Sequence, residues 1–164
     1  MSSHVEAGHE TVRSAPTRAV AIGGNSKLVA HFKDGRVTKG FSRDFDPARD
    51  SFHLVRREGQ VAASQEIRLE DLKALFHVKT WGRKDKHAGQ VAGFPSEKRA
   101  SKGAGRALVK TVLEFYDGER IFGYSLDYDP NRQGFYVVPA DPSDNNRTIY
   151  VVHSSLVNIQ FVRE

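Results

Sequence analysis

From Leu28 onward the chain reads as short apolar runs separated by turn-forming residues. LVAHF, RVTKGFS, SFHLVRR, QEIRL and ALFHVK follow one another, each rich in Val, Phe, Leu or Ile and each bounded by polar or glycine-containing segments. That is the signature of strands. Apolar and polar positions alternate along several runs, as in a strand with one face buried. KDGR is a hairpin signal, because Asp34-Gly35 can take the positive φ angles of a tight turn. Gly118 follows Asp117 in the same way. DFDPAR and DYDPNR place Asp44, Asp46 and Pro47, and then Asp127, Asp129 and Pro130, in defined turns. Gly40 and Gly123 fall inside strand-like runs, where glycine marks a bend or a close backbone approach.

The pattern occurs twice. FKDGRVTKGFSRDFDPARDSFHLV, from Phe32, aligns without a gap with FYDGERIFGYSLDYDPNRQGFYVV, from Phe115. IRLEDLKALFHV, from Ile67, lines up with VVHSSLVNIQFV, from Val151. In the second pair, Glu70-Asp71 and Ser154-Ser155 precede a leucine, which predicts a single helical turn between the last two strands. REGQVAASQ and PADPSDNNR differ most and are expected to be exposed loops. Each unit then has five strands, with bent strands suited to closing a small barrel. The expected fold is all-β: two tandem five-stranded, strongly bent antiparallel barrels joined by a basic linker. The boundaries are a flexible lead over 1–26, a first barrel over 27–79, a linker over 80–106 and a second barrel over 107–164. Trp81 and Phe94, in the linker, are able to dock on a barrel. Of Phe41, Tyr124, Phe45 and Tyr128, aromatic in both units, most are expected in the barrel cores rather than stacked on bases.

Charge changes this picture by where it lies. The total is +5 at pH 7. Eleven Lys/Arg against eight Asp/Glu leave the first unit at +3. Seven against two leave the linker at +5, and five against eight leave the second unit at −3. Arg83, Lys84, Lys86, Lys98, Arg99, Lys102 and Arg106 form the linker cluster, which suits a nucleic-acid backbone or a linker extended by self-repulsion. The absence of cysteine excludes disulfides, thiolate metal sites and cysteine nucleophiles. With no apolar run long enough for a bilayer and no secretory signal, a cytoplasmic location is expected.

The hydrophobic-x-hydrophobic-x-Asp-Gly openings VAHFKDG and VLEFYDG, the glycines Gly40 and Gly123, and the pairs Phe45-Asp46 and Tyr128-Asp129 resemble the Sm-like barrel family. The chain also resembles an uncharacterised bacterial domain family with Asp-Gly, Asp-Pro and Leu-Lys-Ala-Phe-x-Val-Lys signatures, here at Leu72, Lys73, Ala74, Phe76, Val78 and Lys79. The Sm-like resemblance implies RNA binding, usually in rings whose subunits meet through open edge strands. Where that family's RNA-contacting turn typically supplies Asn, this chain has Arg49 and Arg132 nearby, with Asn131 in the second unit only. Glu70-Asp71 and Ser154-Ser155 stand at the second contact, and the two carboxylates there are expected to repel phosphate.

Catalytic and metal chemistry find little footing. His4, His9, His31, His53, His77, His87 and His153 include none shared by both units: His31 corresponds to Glu114, His53 to Tyr136 and His77 to Phe161. The recurrent aspartates suit acid–base work or a divalent cation, but their turn context favours capping of backbone amides. GAGR at 103–106 lacks the spacing of a phosphate loop. Arg49 and Arg132 share one loop position in the two units, placed to grip phosphate or to pair with Asp44 or Asp46. No catalytic residue, metal ligand or cofactor is assigned, and an enzyme is not expected. The expected function is nucleic-acid binding, with RNA favoured, through Arg49, Arg132 and the linker cluster. The alternative is a protein–protein adaptor or regulatory module, with self-association possible through open barrel edges. A second-messenger binder of PilZ type ranks third, because VRREGQ does not supply its paired motif.

Overall fold

The computed structural model describes residues 26–81, 94, 108–126 and 128–163. The lead and most of the linker, including Arg83, Lys84, Lys86, Lys98, Arg99, Lys102 and Arg106, lie outside the described residues, as does Asp127. The described chain is all-β. Its strands are β1 (Ser26–Phe32), β2 (Val37–Ser42), β3 (Ser51–Glu58), β4 (Val61–Arg68), β5 (Leu72–Val78), β6 (Val109–Phe115), β7 (Arg120–Leu126), β8 (Gly134–Pro139), β9 (Asn146–Val152) and β10 (Leu156–Val162). Single 3-10 turns, Leu69–Asp71 and His153–Ser155, join β4 to β5 and β9 to β10.

The two units share a backbone path down to individual hydrogen bonds. Phe32 N–H donates to Arg36 O (2.9 Å) and Phe115 N–H to Glu119 O (2.9 Å). Lys33 N–H reaches Asp71 O (2.9 Å), and Tyr116 N–H reaches Ser155 O (3.1 Å). Gly35 and Gly118 turn the first hairpins at φ 91° and 86°, a region that side chains with a Cβ disfavour. A Cβ on Gly40 would lie 2.6 Å from Val55 O, and one on Gly123 would lie 2.5 Å from Val138 O. The same strand crossing therefore demands glycine in both units.

All ten strands belong to one antiparallel sheet, in the order β10-β6-β7-β8-β9-β5-β1-β2-β3-β4. β5 of the first unit pairs with β9 of the second, with Ala74 opposite Val151, Leu75 opposite Tyr150, Phe76 opposite Ile149 and His77 opposite Thr148. The sheet does not close; β10 and β4 are its ends. The segment REGQVAASQ, expected as an exposed loop, is mostly strand. β3 and β4 pair continuously out to Glu58 opposite Val61, so the ladder consumes residues whose composition alone reads as a loop. Its counterpart around residues 140–145 does remain a connection.

Two apolar clusters fill the structure, and each draws on both units. One gathers Leu28, Ala30, Phe32, Phe52, Leu54, Ile67, Leu69, Leu72 and Leu75 with Tyr150 and Val152. The other gathers Leu113, Phe115, Ile121, Phe135, Val137, Ile149 and Val151 with Val29, Ala74, Phe76 and Val78. β5 is the shared wall, and every one of its residues is buried. Phe45 and Tyr128 pack against the clusters as expected. Phe41 and Tyr124 belong to neither. They take the linker aromatics instead: Trp81 meets Phe41 edge-on at 5.4 Å, and Phe94 meets Phe122 at 5.7 Å and Tyr124 at 5.9 Å.

Candidate functional site

The two Asp-Pro turns present equivalent arginines. Asp46 Oδ1 accepts the Ala48 N–H at 2.9 Å, and Asp129 Oδ1 accepts the Asn131 N–H at 2.9 Å. The next bond closes each turn, from Arg49 N–H to Asp46 O (3.0 Å) and from Arg132 N–H to Asp129 O (3.1 Å). The guanidinium groups lie 3.9 Å and 3.6 Å from those carboxylates, with side chains 69% and 61% exposed. Such exposed pairs are worth about 0–1 kcal/mol, so the forks can be taken up by an outside anion at little cost. Asp44 is a capping group. It accepts the His53 N–H (2.8 Å), the Ser42 hydroxyl (3.1 Å) and contacts His53 Nδ1 (2.7 Å). Burial opposes ionisation of Asp44, but these donors outweigh it and hold the carboxyl below its usual range. Asp44 in return holds the His53 ring above its usual value.

The turns flank an aromatic seam where the units meet. Phe45 stands 5.5 Å from Tyr150 and 5.9 Å from His77; Tyr136 stands 5.2 Å from Tyr150 and 6.2 Å from His77. His77 is 5% exposed, and neither ring nitrogen has a hydrogen-bond partner among the described residues. Burial pushes its pKa down to about 4, so the ring is neutral at pH 7. Burial also raises both phenols. The field of Asp46 adds to the effect on Tyr136, and that of Arg132 opposes it on Tyr150, which is raised to about 12. One turn from each unit thus acts on the same seam.

The 3-10 turn beside this face is less hostile to anions than its sequence implies. Glu70 is paired with Arg68 at 2.5 Å. Lys33 Nζ donates to Glu70 O and to Ser154 Oγ, both at 2.6 Å. The Glu70 carboxylate is therefore partly offset by Arg68, with Lys33 alongside.

Lys73 holds the joint itself. It is the residue bulged out of the β1–β5 ladder, where Leu72 and Ala74 face consecutive β1 residues Phe32 and His31. Its side chain is 6% exposed; Nζ donates to Asp117 Oδ2 at 2.7 Å and to Glu119 Oε2, and lies 4.7 Å from the centre of the Phe115 ring. Burial works against the ammonium, but the two carboxylates outweigh it and hold its pKa above the usual lysine value. Ser155 Oγ–H donates to Lys73 O at 2.9 Å, and the Tyr116 hydroxyl donates to Lys33 O. At the far end of β5, Lys79 donates to Asn145 O (2.8 Å), Asp144 O (2.7 Å) and Pro142 O (3.1 Å). The repeat comparison passes over Lys73, His77 and Tyr150, because their roles lie between units. The available signal was LKALFHV, which lacks the polar alternation of its counterpart LVNIQFV and so marks a strand buried on both faces.

Together these features define a tandem all-β protein whose two units are fused through a strand pair, with matched arginine turns beside the seam. The chain belongs to the family of unknown function DUF6982, whose model matches residues 24–163 and so spans both units and the linker. No curated protein and no solved structure matches the chain. Among the described residues, no helix is long and apolar enough to cross a membrane.

Proposed function

We propose that the chain is a non-enzymatic nucleic-acid-binding protein of Sm-like character that takes single-stranded RNA along the face bearing the two arginine turns. The observation that carries this reading is the repeated geometry of Arg49 and Arg132. Each guanidinium is exposed, loosely paired and fixed on an identical turn of one continuous sheet. Two such forks provide spaced phosphate contacts without requiring a base sequence. Lys33 and Arg68 balance Glu70 and Asp71 nearby, and the basic linker, Arg83 to Arg106, supplies the remaining positive charge. Affinity on this reading is electrostatic, so it falls steeply as salt rises. The test is a fluorescence-anisotropy titration with a mixed-sequence single-stranded RNA at low and moderate salt. Binding that weakens with salt, and weakens further in Arg49→Ala/Arg132→Ala, is the expected result; no binding at low salt removes the reading.

A second reading is a protein adaptor, favoured by the unpaired edge strands β4 and β10, which can accept a partner's strand. A partner complex that survives nuclease treatment and is unaffected by Arg49→Ala/Arg132→Ala would select it.

A further inference from the structure

We propose that copies of this chain associate head-to-tail, the β10 edge of one against the β4 edge of the next, antiparallel and in the register of the internal β5–β9 joint. The argument is independent of nucleic-acid binding. The internal joint mates the last strand of the first unit with the fourth strand of the second. The two free ends of the sheet are the last strand of the second unit and the fourth strand of the first. The molecule therefore contains one completed joint and one unused copy of each half.

Burial follows the same division. All of β5 is buried, whereas β10 leaves Val157 64%, Phe161 41% and Val162 41% exposed. β4 is exposed at every position except Ile67. Neither strand has the proline or the central lysine that commonly protects a free edge, and β4 begins with five uncharged residues, VAASQ. Repeat equivalence carries the internal register outward. Asn158 then faces Ile67, Ile159 faces Glu66, Gln160 faces Gln65 and Phe161 faces Ser64, with no like charges opposed. The surfaces that meet also belong to units of opposite net charge, −3 and +3.

The outer joint lacks one feature of the inner one. Val157 replaces Lys73, and the corresponding hairpin offers Asp34 and Arg36, already paired with each other at 2.6 Å, in place of Asp117 and Glu119. Without the buried ion cluster the association is reversible and concentration-dependent. Because the contact is heterologous, it propagates until it closes into a ring or continues as a filament.

The chain has no native cysteine, so single cysteines report the contact directly. Gln65→Cys and Gln160→Cys, both at exposed positions, are prepared separately and mixed with a short bismaleimide. The mixture is expected to give cross-linked dimer, and each variant alone to give little. Light scattering on the full chain is expected to show mass rising with concentration, and Ser64→Lys/Gln65→Lys to return it to monomer with an unchanged circular dichroism spectrum. Cross-linking within either single variant would show like edges meeting and overturn the proposal. A monomeric mass at every concentration, with no mixed cross-link, would overturn it equally.

Discussion

β5 and β10 occupy the same place in two copies of one unit, yet one is wholly buried and the other is largely exposed. Their hairpins, glycines and 3-10 turns are alike. What differs is the neighbour: β9 covers the outer side of β5, and among the described residues no strand covers β10. The sequences follow the neighbour, not the fold of the unit. β5 is apolar on both faces apart from Lys73 and His77, and β10 interleaves Asn158 and Gln160 with its apolar residues. Burial here records an assembly step as well as a folding step.

Equivalent substitutions in the two strands should therefore have unequal effects. Leu75→Ala opens a fully buried site, and a loss of about 3–4 kcal/mol is expected from core truncations of this kind. Ile159→Ala, at the equivalent half-buried position, should cost about 1 kcal/mol. Urea denaturation of both variants checks the ratio.

The next contrast is His77 against Phe161. The folded pKa of His77, about 4, lies below the ordinary value of 6.5. The unfolded chain thus binds a proton that the folded chain excludes. Stability from the neutral ring is intact above about pH 6.5 and is lost as pH falls toward 4, by roughly 3 kcal/mol over that window. His77→Phe, which copies the second unit, should flatten that slope in denaturation measured from pH 7 to 4. His53 works in the opposite sense, since Asp44 raises its pKa; its contribution is present at low pH and fades as pH rises through its folded value. Asp117 and Asp44, held low, lose their contributions only as pH drops further, through their depressed folded values.

Lys73 and Val157 form the third contrast. Lys73→Ala strands two carboxylates that are themselves partly exposed, 40% and 21%. A loss of about 2–3 kcal/mol is expected, below the full range for a completely buried pair. Val157→Ala, exposed, should change monomer stability by less than about 0.5 kcal/mol. Thermal melts of the two variants at one low concentration give the comparison.

Much of this was legible in the chain. The Asp-Gly and Asp-Pro turns, Gly40 and Gly123, and the single helical turns each have a local cause, and local causes are written in neighbouring residues. The arginine turns were legible for the same reason, since Arg49 and Arg132 are fixed by Asp46 and Asp129 three residues earlier. The junction was not. Lys73 meets Asp117 and Glu119, and Phe45 meets Tyr150, across separations that neither periodicity nor repeat alignment encodes. Comparing copies position by position also hides contacts made between copies. The β3–β4 extension was obscured because Ala62, Ala63, Ser64 and Gln65 are held by ladder pairing with β3, not by strand propensity.

The joining of both units into one sheet is most directly tested by amide hydrogen exchange, resolved by residue, on dilute full-length protein. With β1 on one side and β9 on the other, consecutive β5 amides from Ala74 to His77 should all exchange slowly, whereas in β10 protection should alternate, because β6 is its one neighbour among the described strands. Alternating protection in β5 as well would mean that its outer side is open to water, and the fused sheet would be contradicted.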